Sequence, residues 1–318
     1  MKKLLVGLGT LLVIYLLITF VVSNQVLDTP LRTFEESYRI GSERWHLNMD
    51  SLRAALPTPE GVSFQSPVDG ITLRGWLYRR PESDCAVLFA HGYHDNRVSM
   101  LKYTPVFADC HCDLLLYDHR GFGESDEAYA TGGVNEARDL LAAHAFLRSA
   151  TGLPDERIGW VGESWGASAA LIAAADSSGR PAFVVAESPY ADWESAITER
   201  GARQYGPVLS VIAPGTFRWA SYRSGVDVAA ASPLRAAPDV RAPVLLIHSL
   251  ADTLTDPAQS DLLAERLPEE LLTYRRLNWG AWHAHNIVWR PGEYADLVRR
   301  FIAERAPDFC TSVTRTPR

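Results

Sequence analysis

The amino-acid sequence predicts an α/β protein: a mostly parallel eight-stranded sheet with helices on both faces. Three observations carry this. Short runs that are apolar throughout recur along the chain, as in strands buried on both sides. Longer stretches with helical spacing separate them, the arrangement that connects parallel neighbours. An antiparallel signal is clear only near the start of the main domain, where Asp69-Gly70 separates Val62–Phe64 from Ile71–Tyr78 like the turn of a hairpin.

The first element is set apart. After Lys2 and Lys3, Leu4 to Val22 is an uncharged apolar run of about 19 residues. As a helix it would be about 28 Å long, close to the hydrocarbon thickness of a bilayer. A cleaved signal peptide is the competing reading, with Val21 and Ser23 at the cleavage site, but its apolar region is usually shorter. An uncleaved anchor over residues 1–23 is preferred. Lys2 and Lys3 then stay cytoplasmic, and the chain beyond Asn24 is exported.

Residues 24–60 read as a helical lead-in, because Phe34, Tyr38, Ile40, Trp45, Leu47 and Leu52 recur among charges at loosely helical spacing. Residues 61–306 form the main domain. After the hairpin, its strands are Ala86–Ala90, Leu114–Tyr117, Ile158–Val161, Phe183–Ala186, Val244–Ile247 and Leu271–Leu277. Helical patterns cover Val134–Ser149, stopped by Gly152, and Ala167–Ala175. Residues 190–240 break the alternation. They contain Trp193, Tyr205, Phe217, Trp219 and Tyr222 without a clear strand, so they read as a helical insertion, either a lid or a connection whose aromatics pack on the core. Residues 307–318 are a tail.

Composition narrows the function classes. The 318 residues are 47% hydrophobic and 22% charged, within the globular range. Thirty-one basic against 38 acidic residues give a net charge of −7, so no nucleic-acid partner is expected. Four cysteines are too few for a disulfide scaffold, but in an exported protein they can oxidise. Cys85 and Cys112 each precede a loop residue, His91 and Asp118, by the same interval; a Cys85–Cys112 or Cys85–Cys110 bridge, a partner for Cys310 and free buried thiols all remain open.

In open α/β sheets ligands bind beyond the carboxyl ends of the strands, so chemistry is sought there. Ile158–Val161 runs into Gly162-Glu163-Ser164-Trp165-Gly166, a G-x-S-x-G pattern between a strand and an Ala-rich helix. Glycines at those positions permit a sharp turn that holds a serine hydroxyl out at the sheet edge. Chance produces such a pattern in roughly one chain in ten, so its placement is what gives it weight. A serine nucleophile needs a base oriented by a carboxylate. The next strand ends supply Asp252 and then His283, giving the order serine, acid, histidine that this turn uses. Asp256 and Glu187 compete with Asp252, and His285 with His283. Ser164 could instead be a plain helix N-cap, and His91 reads as structural. His91 with His94, Cys110-His111-Cys112, and His283 with His285 match no zinc-site pattern, so neither a metal nor a cofactor is expected.

These motifs resemble the α/β-hydrolase superfamily over about residues 62–306. His91-Gly92-Tyr93 is similar to its H-G-x loop after the third strand, and Asp118-His119-Arg120-Gly121-Phe122-Gly123-Glu124-Ser125 to its D-x-R-G-x-G-x-S loop after the fourth. Gly133 with Glu136, Asp139 and Leu140 resembles the next helix. Gly280-Ala281-Trp282-His283-Ala284, with Pro291, Glu293, Tyr294 and Phe301, resembles the terminal segment of a bacterial exported or membrane-anchored branch, in which the histidine before the alanine is catalytic. Trp165 departs from that branch, which more often has methionine there. The resemblance implies an α/β-hydrolase fold with a helical lid insertion and an oxyanion hole made by the backbone N–H groups of Tyr93 and Trp165. The expected protein is a membrane-anchored serine hydrolase cleaving a small-molecule acyl substrate, a carboxylic and lipophilic ester first. Amide or peptide hydrolysis and acyl transfer are the alternatives, and a non-catalytic tethered binding protein is the contrasting class.

Overall fold

The computed structural model describes residues 2–310, so the tail expected at 307–318 lies outside the described residues beyond Cys310. Among the described residues, eight strands form one sheet: β1 (Glu60–Gln65), β2 (Thr72–Tyr78), β3 (Ala86–Ala90), β4 (Asp113–Tyr117), β5 (Ile158–Glu163), β6 (Val184–Glu187), β7 (Val244–Ser249) and β8 (Leu272–Leu277), in the order β1-β2-β4-β3-β5-β6-β7-β8. β2 runs antiparallel to both of its neighbours, β1 and β4. From β4 to β8 every pairing is parallel. The sheet is therefore mixed at one edge and parallel elsewhere, as the hairpin and the apolar runs imply.

Around the sheet lie α1 (Lys2–Leu27), α2 (Phe34–Arg39), α3 (Met49–Ala54), α4 (Val134–Thr151), α5 (Trp165–Ala174), α6 (Trp193–Tyr205), α7 (Val208–Ser224), α8 (Pro233–Ala236), α9 (Pro257–Ala264), α10 (Asn286–Trp289) and α11 (Pro291–Arg305). Local chemistry marks several ends. Thr33 and Glu36 form a reciprocal capping box at the start of α2. Gly152, at φ 73°, takes the left-handed conformation that ends α4.

Strand side chains alternate between two cores, which is why the central strands read as continuously apolar. Val87 and Phe89 face the layer formed by α3, the 3₁₀ helix Arg97–Cys110 and α11, in a core with Phe107 and Phe301. Leu88 and Ala90 face α4, α5 and α9, in a core with Leu140, Leu171 and Leu263. Cys85 and Cys112 are bridged. They immediately precede the first parallel pair of β3 and β4, Ala86 with Asp113, and their Cα atoms are 4.6 Å apart. Cys110 lies beside Cys310, where a thiol hydrogen bond and burial push its pKa up.

A third core lies over the carboxyl edge of the strands. It joins Val26 and Leu27 of α1, Trp165 of α5, Trp193 of α6 and Phe217 of α7. The stretch between β6 and β7 is helical without strands, as its composition suggests, and its aromatics pack on α1 and on one another. Helix α1 is long and apolar enough to cross a membrane, and it is exposed over most of its length. Only its last turns are buried, through Thr19, Ser23, Val26 and Leu27.

Candidate active site

Ser164 occupies the turn from β5 into α5 with φ 52° and ψ −118°, a conformation that disfavours residues with a Cβ. The flanking glycines let the chain close this tightly. A Cβ on Gly162 would come within 2.7 Å of the Ala167 backbone, and one on Gly166 within 2.2 Å of the Ala90 carbonyl oxygen. The turn therefore requires both glycines of the G-x-S-x-G pattern.

The structure brings Ser164, His283 and Asp252 together. His283 Nε2 is 2.7 Å from Ser164 Oγ, and His283 Nδ1 is 2.7 Å from Asp252 Oδ2. His283 comes after β8 on a loop in which Gly280 and Ala284 both have positive φ. Asp252 lies in the turn after β7, where its Oδ1 accepts the N–H groups of Leu254 and Thr255. Burial alone would raise the Asp252 carboxyl, but hydrogen bonds from His248 and His283 outweigh it and hold the group below the ordinary carboxylate range. Such a carboxylate favours the Nδ1–H tautomer of His283, with Nε2 facing the Ser164 hydroxyl.

Tyr93 and Trp165 border the same point. A Cβ on Gly92, the residue before Tyr93, would lie 3.4 Å from the Ser164 Cβ. Trp165 is the first residue of α5, where backbone N–H groups lack partners within the helix. Its indole is buried against Tyr93, His119 and Phe122, so the tryptophan that departs from the related branch fills the site's floor. Ser164 and His283 line a cavity of about 680 Å³, walled by α1, α6 and α7.

The competing candidates are engaged in other contacts. Asp256 caps α9 and pairs with Arg203 at the surface. Glu187 is buried, accepting Tyr103 Oη–H at 2.8 Å and the Asn286 side chain at 2.9 Å. His285 reaches the cavity, but its Nδ1 contacts the His283 carbonyl, and burial with nearby Lys102 pushes its pKa down to about 4. His91 accepts the His119 N–H on Nε2 at 3.0 Å, so its proton is on Nδ1, bonded to Gly92 O at 2.8 Å; it ties two loops together.

The D-x-R-G-x-G-x-S loop is a clamp. Asp118 accepts the N–H groups of Arg97 and Glu124, and Arg120 holds Asp139 at 2.6 Å and Asp69 at 2.9 Å. Two groups escape a reading of the sequence. Glu163, inside the serine motif, forms a buried 2.6 Å pair with Lys102, whose charge holds Glu163 low against the pull of burial. His248, inside the strand before Asp252, bonds that carboxylate from behind. An ionisable residue at the buried end of an apolar strand is the signal for both, but it does not name the partner.

Comparison with known proteins agrees with this architecture. The chain is 28% identical over 307 residues to the uncharacterized protein YqkD of Bacillus subtilis, covering 95% of this chain and 97% of that protein. The fold is similar to that of an esterase from Pyrococcus furiosus, at a TM-score of 0.65 and 23% identity, over 82% of this chain and 96% of the other. An acylaminoacyl peptidase from Pyrococcus horikoshii aligns at a TM-score of 0.58 and 22% identity, over 80% of this chain and 43% of its own. The model of the prolyl oligopeptidase family matches residues 115–281, a span of more than half the chain that contains both Ser164 and Asp252. The chain is thus a hydrolase of the α/β fold and belongs to the prolyl oligopeptidase family.

Proposed function

We propose that the protein is a membrane-anchored serine esterase. The observation that carries this reading is the pair of 2.7 Å hydrogen bonds linking Ser164, His283 and Asp252. His283 takes the proton of Ser164, and the serine oxygen attacks an acyl carbonyl. The oxyanion is held by the N–H groups of Tyr93 and Trp165. The protonated His283, steadied by Asp252, returns its proton to the departing alcohol, and water then releases the acid from the acyl-enzyme by the same route. Each oxyanion donor contributes a few kcal/mol to the barrier reduction.

A lipophilic acyl group suits the apolar walls that α1 and α7 give the cavity, with Val22, Val26, Ile212 and Phe217 among their residues. The helical stretch at 190–240 acts as the lid over it. Retention of α1 as an anchor is supported by its packing on α7 ahead of Ser23: Tyr15 Oη donates to Val211 O at 3.3 Å, and Phe20 meets Trp219 edge-on with ring centroids 5.3 Å apart. Cleavage near Ser23 would strip one side of α7. With Lys2 and Lys3 inside, the catalytic domain faces away from the cytoplasm.

Amide or peptide hydrolysis is the second reading, favoured by the family match. A fluorophosphonate probe tests the nucleophile: it should label the chain and fail on Ser164→Ala, and equal labelling of both would refute the assignment. Asp252→Asn should lose about 10⁴ in kcat while Asp256→Asn stays active; the reverse pattern would move the acid to Asp256. Turnover of esters of graded chain length, thioesters and aminoacyl amides then separates the two readings.

A further inference from the structure

Helix α1 is both the expected membrane span and part of the cavity wall, where its Val22 and Val26 line the same space as Ser164. It packs along α7, and the two helices run in the same direction. Tyr15 Oη donates to Val211 O at 3.3 Å, Phe20 stacks edge-on against Trp219 with centroids 5.3 Å apart, and Ser23 and Asn24 meet Arg223. Gly215 permits the close approach, since a Cβ there would lie 2.7 Å from Tyr15 Oη and 2.8 Å from Thr19 Cγ2. Small residues allow membrane helices to touch in this way.

This alignment sets a depth. Tyr15 precedes Val22, the end of the apolar run, by seven residues, or about 10 Å of helix. Val211 is level with Tyr15, so the first turn of α7 lies alongside the hydrocarbon part of α1. Its sequence matches that position. From Tyr205 to Phe217 there is no charged residue, and Tyr205, Val208 and Val211 are exposed at 71%, 66% and 66%. Arg218, Trp219, Tyr222 and Arg223 then cluster at the other end, level with the end of the span. Aromatic and basic side chains of this kind belong at the boundary between lipid and water.

We infer that the exposed Val208–Val211 face of α7 is embedded in the outer leaflet beside α1, so that the cavity opens into lipid. The substrate is then an acyl-bearing amphiphile that enters sideways from the leaflet, its chain running along α1 and α7 toward Ser164. This rests on the anchored-hydrolase reading and adds the route and class of the substrate. A bilayer is favoured as the occupant of the exposed face because that face is continuous with the apolar surface of α1.

The test uses the full chain in phosphatidylcholine vesicles carrying lipids with nitroxides on their acyl chains. An environment-sensitive fluorophore is attached to Val208→Cys, to Leu12→Cys in α1, and to Ser178→Cys at the opposite edge of the sheet, with the unsubstituted chain as the labelling control. Quenching at positions 208 and 12, with none at 178, is expected. Quenching at 12 alone overturns the embedded face and leaves the anchor standing, whereas quenching at neither removes both. Shielding of position 208 by a second copy of the chain, seen as fluorescence transfer between labelled copies, also overturns the proposal.

A Val208→Asp, Val211→Asp double variant supplies the second readout. It should lose about tenfold or more in turnover of a long-chain ester held in the vesicles, because carboxylates are strongly disfavoured in hydrocarbon. Its turnover of a soluble acetate ester should stay within about twofold of the parent. Equal loss on both substrates, or loss on neither, overturns the inference. A parent chain that turns over neither ester contradicts the hydrolase reading itself, while the quenching pattern still decides where the α7 face lies.

Discussion

His248 Nε2 stands 3.2 Å from Asp252 Oδ2, the same oxygen that His283 Nδ1 meets at 2.7 Å. The His248 ring is wholly buried, with Nε2 also facing Thr255 O at 3.1 Å and Nδ1 lying 2.6 Å from Ser260 Oγ. Two acceptors around Nε2 put the proton there, so His248 donates to the carboxylate and accepts from the serine. Asp252 is thereby held from both sides.

His248 is expected to act as a positioning residue. His248→Phe removes the rear donor and should lower kcat by about tenfold, the worth of one charge-assisted hydrogen bond, with KM nearly unchanged. His248→Gln, which retains a donor, should recover part of the loss. Steady-state kinetics on a soluble ester checks this. A change confined to KM, or a loss matched by global unfolding, would contradict the role.

Ser164 should show opposite effects on activity and stability. Its positive φ costs about 1–3 kcal/mol, which glycine avoids. Ser164→Gly should therefore abolish turnover yet unfold at a higher denaturant midpoint, by about 1 kcal/mol after loss of the His283 hydrogen bond. A midpoint below that of the parent would show that the bond outweighs the strain.

The Cys85–Cys112 bridge closes a loop with a sequence separation of 27. Replacing both cysteines with alanine should cost about 3 kcal/mol in equilibrium unfolding. The proposed export predicts that the bridge survives in the cell, because disulfides are rare in the reducing cytoplasm. Alkylation of cell-harvested protein before and after reduction should find Cys85 and Cys112 blocked until reduced. Free thiols at both positions would contradict export.

Burial pushes the His91 pKa down to about 4 despite its bond to the Gly92 carbonyl. An unfolded chain protonates histidine near 6.5, so between about 6.5 and 4 the unfolded state binds the extra proton, and stability falls as pH drops. His285, also near 4, acts in the same direction. Burial raises Asp95 and Asp118 to about 6, and these act oppositely, weakening the fold as pH rises from about 4 to 6. Comparison with His91→Asn isolates one contribution: the stability advantage of the parent should shrink steadily from about pH 6.5 to about 4. An advantage independent of pH would mean that His91 is charged in the folded chain.

Much of the site is legible in the sequence because its chemistry sits where local patterns end. Buried strands are continuously apolar, so Ser164, Asp252 and His283 stand out as the polar residues beyond them, and the glycines around Ser164 mark a turn that few other residues tolerate. The same logic fails for Lys102 and Glu163. A buried charge within an apolar pattern announces that it needs a counter-charge, but the partner lies 61 positions away on another element.

The sequence by itself determined the layering of the sheet, the order of the three candidate catalytic residues and the presence of a membrane-length helix, because each derives from local periodicity or from the needs of a single turn. Only the tertiary structure decided which cysteines pair, that Asp252 and not Asp256 meets His283, and that α1 lies against α7 to wall the cavity. Those outcomes depend on strand register and on helix contacts across some 200 residues. Many distant pairings suit one apolar pattern, and packing the whole chain selects among them.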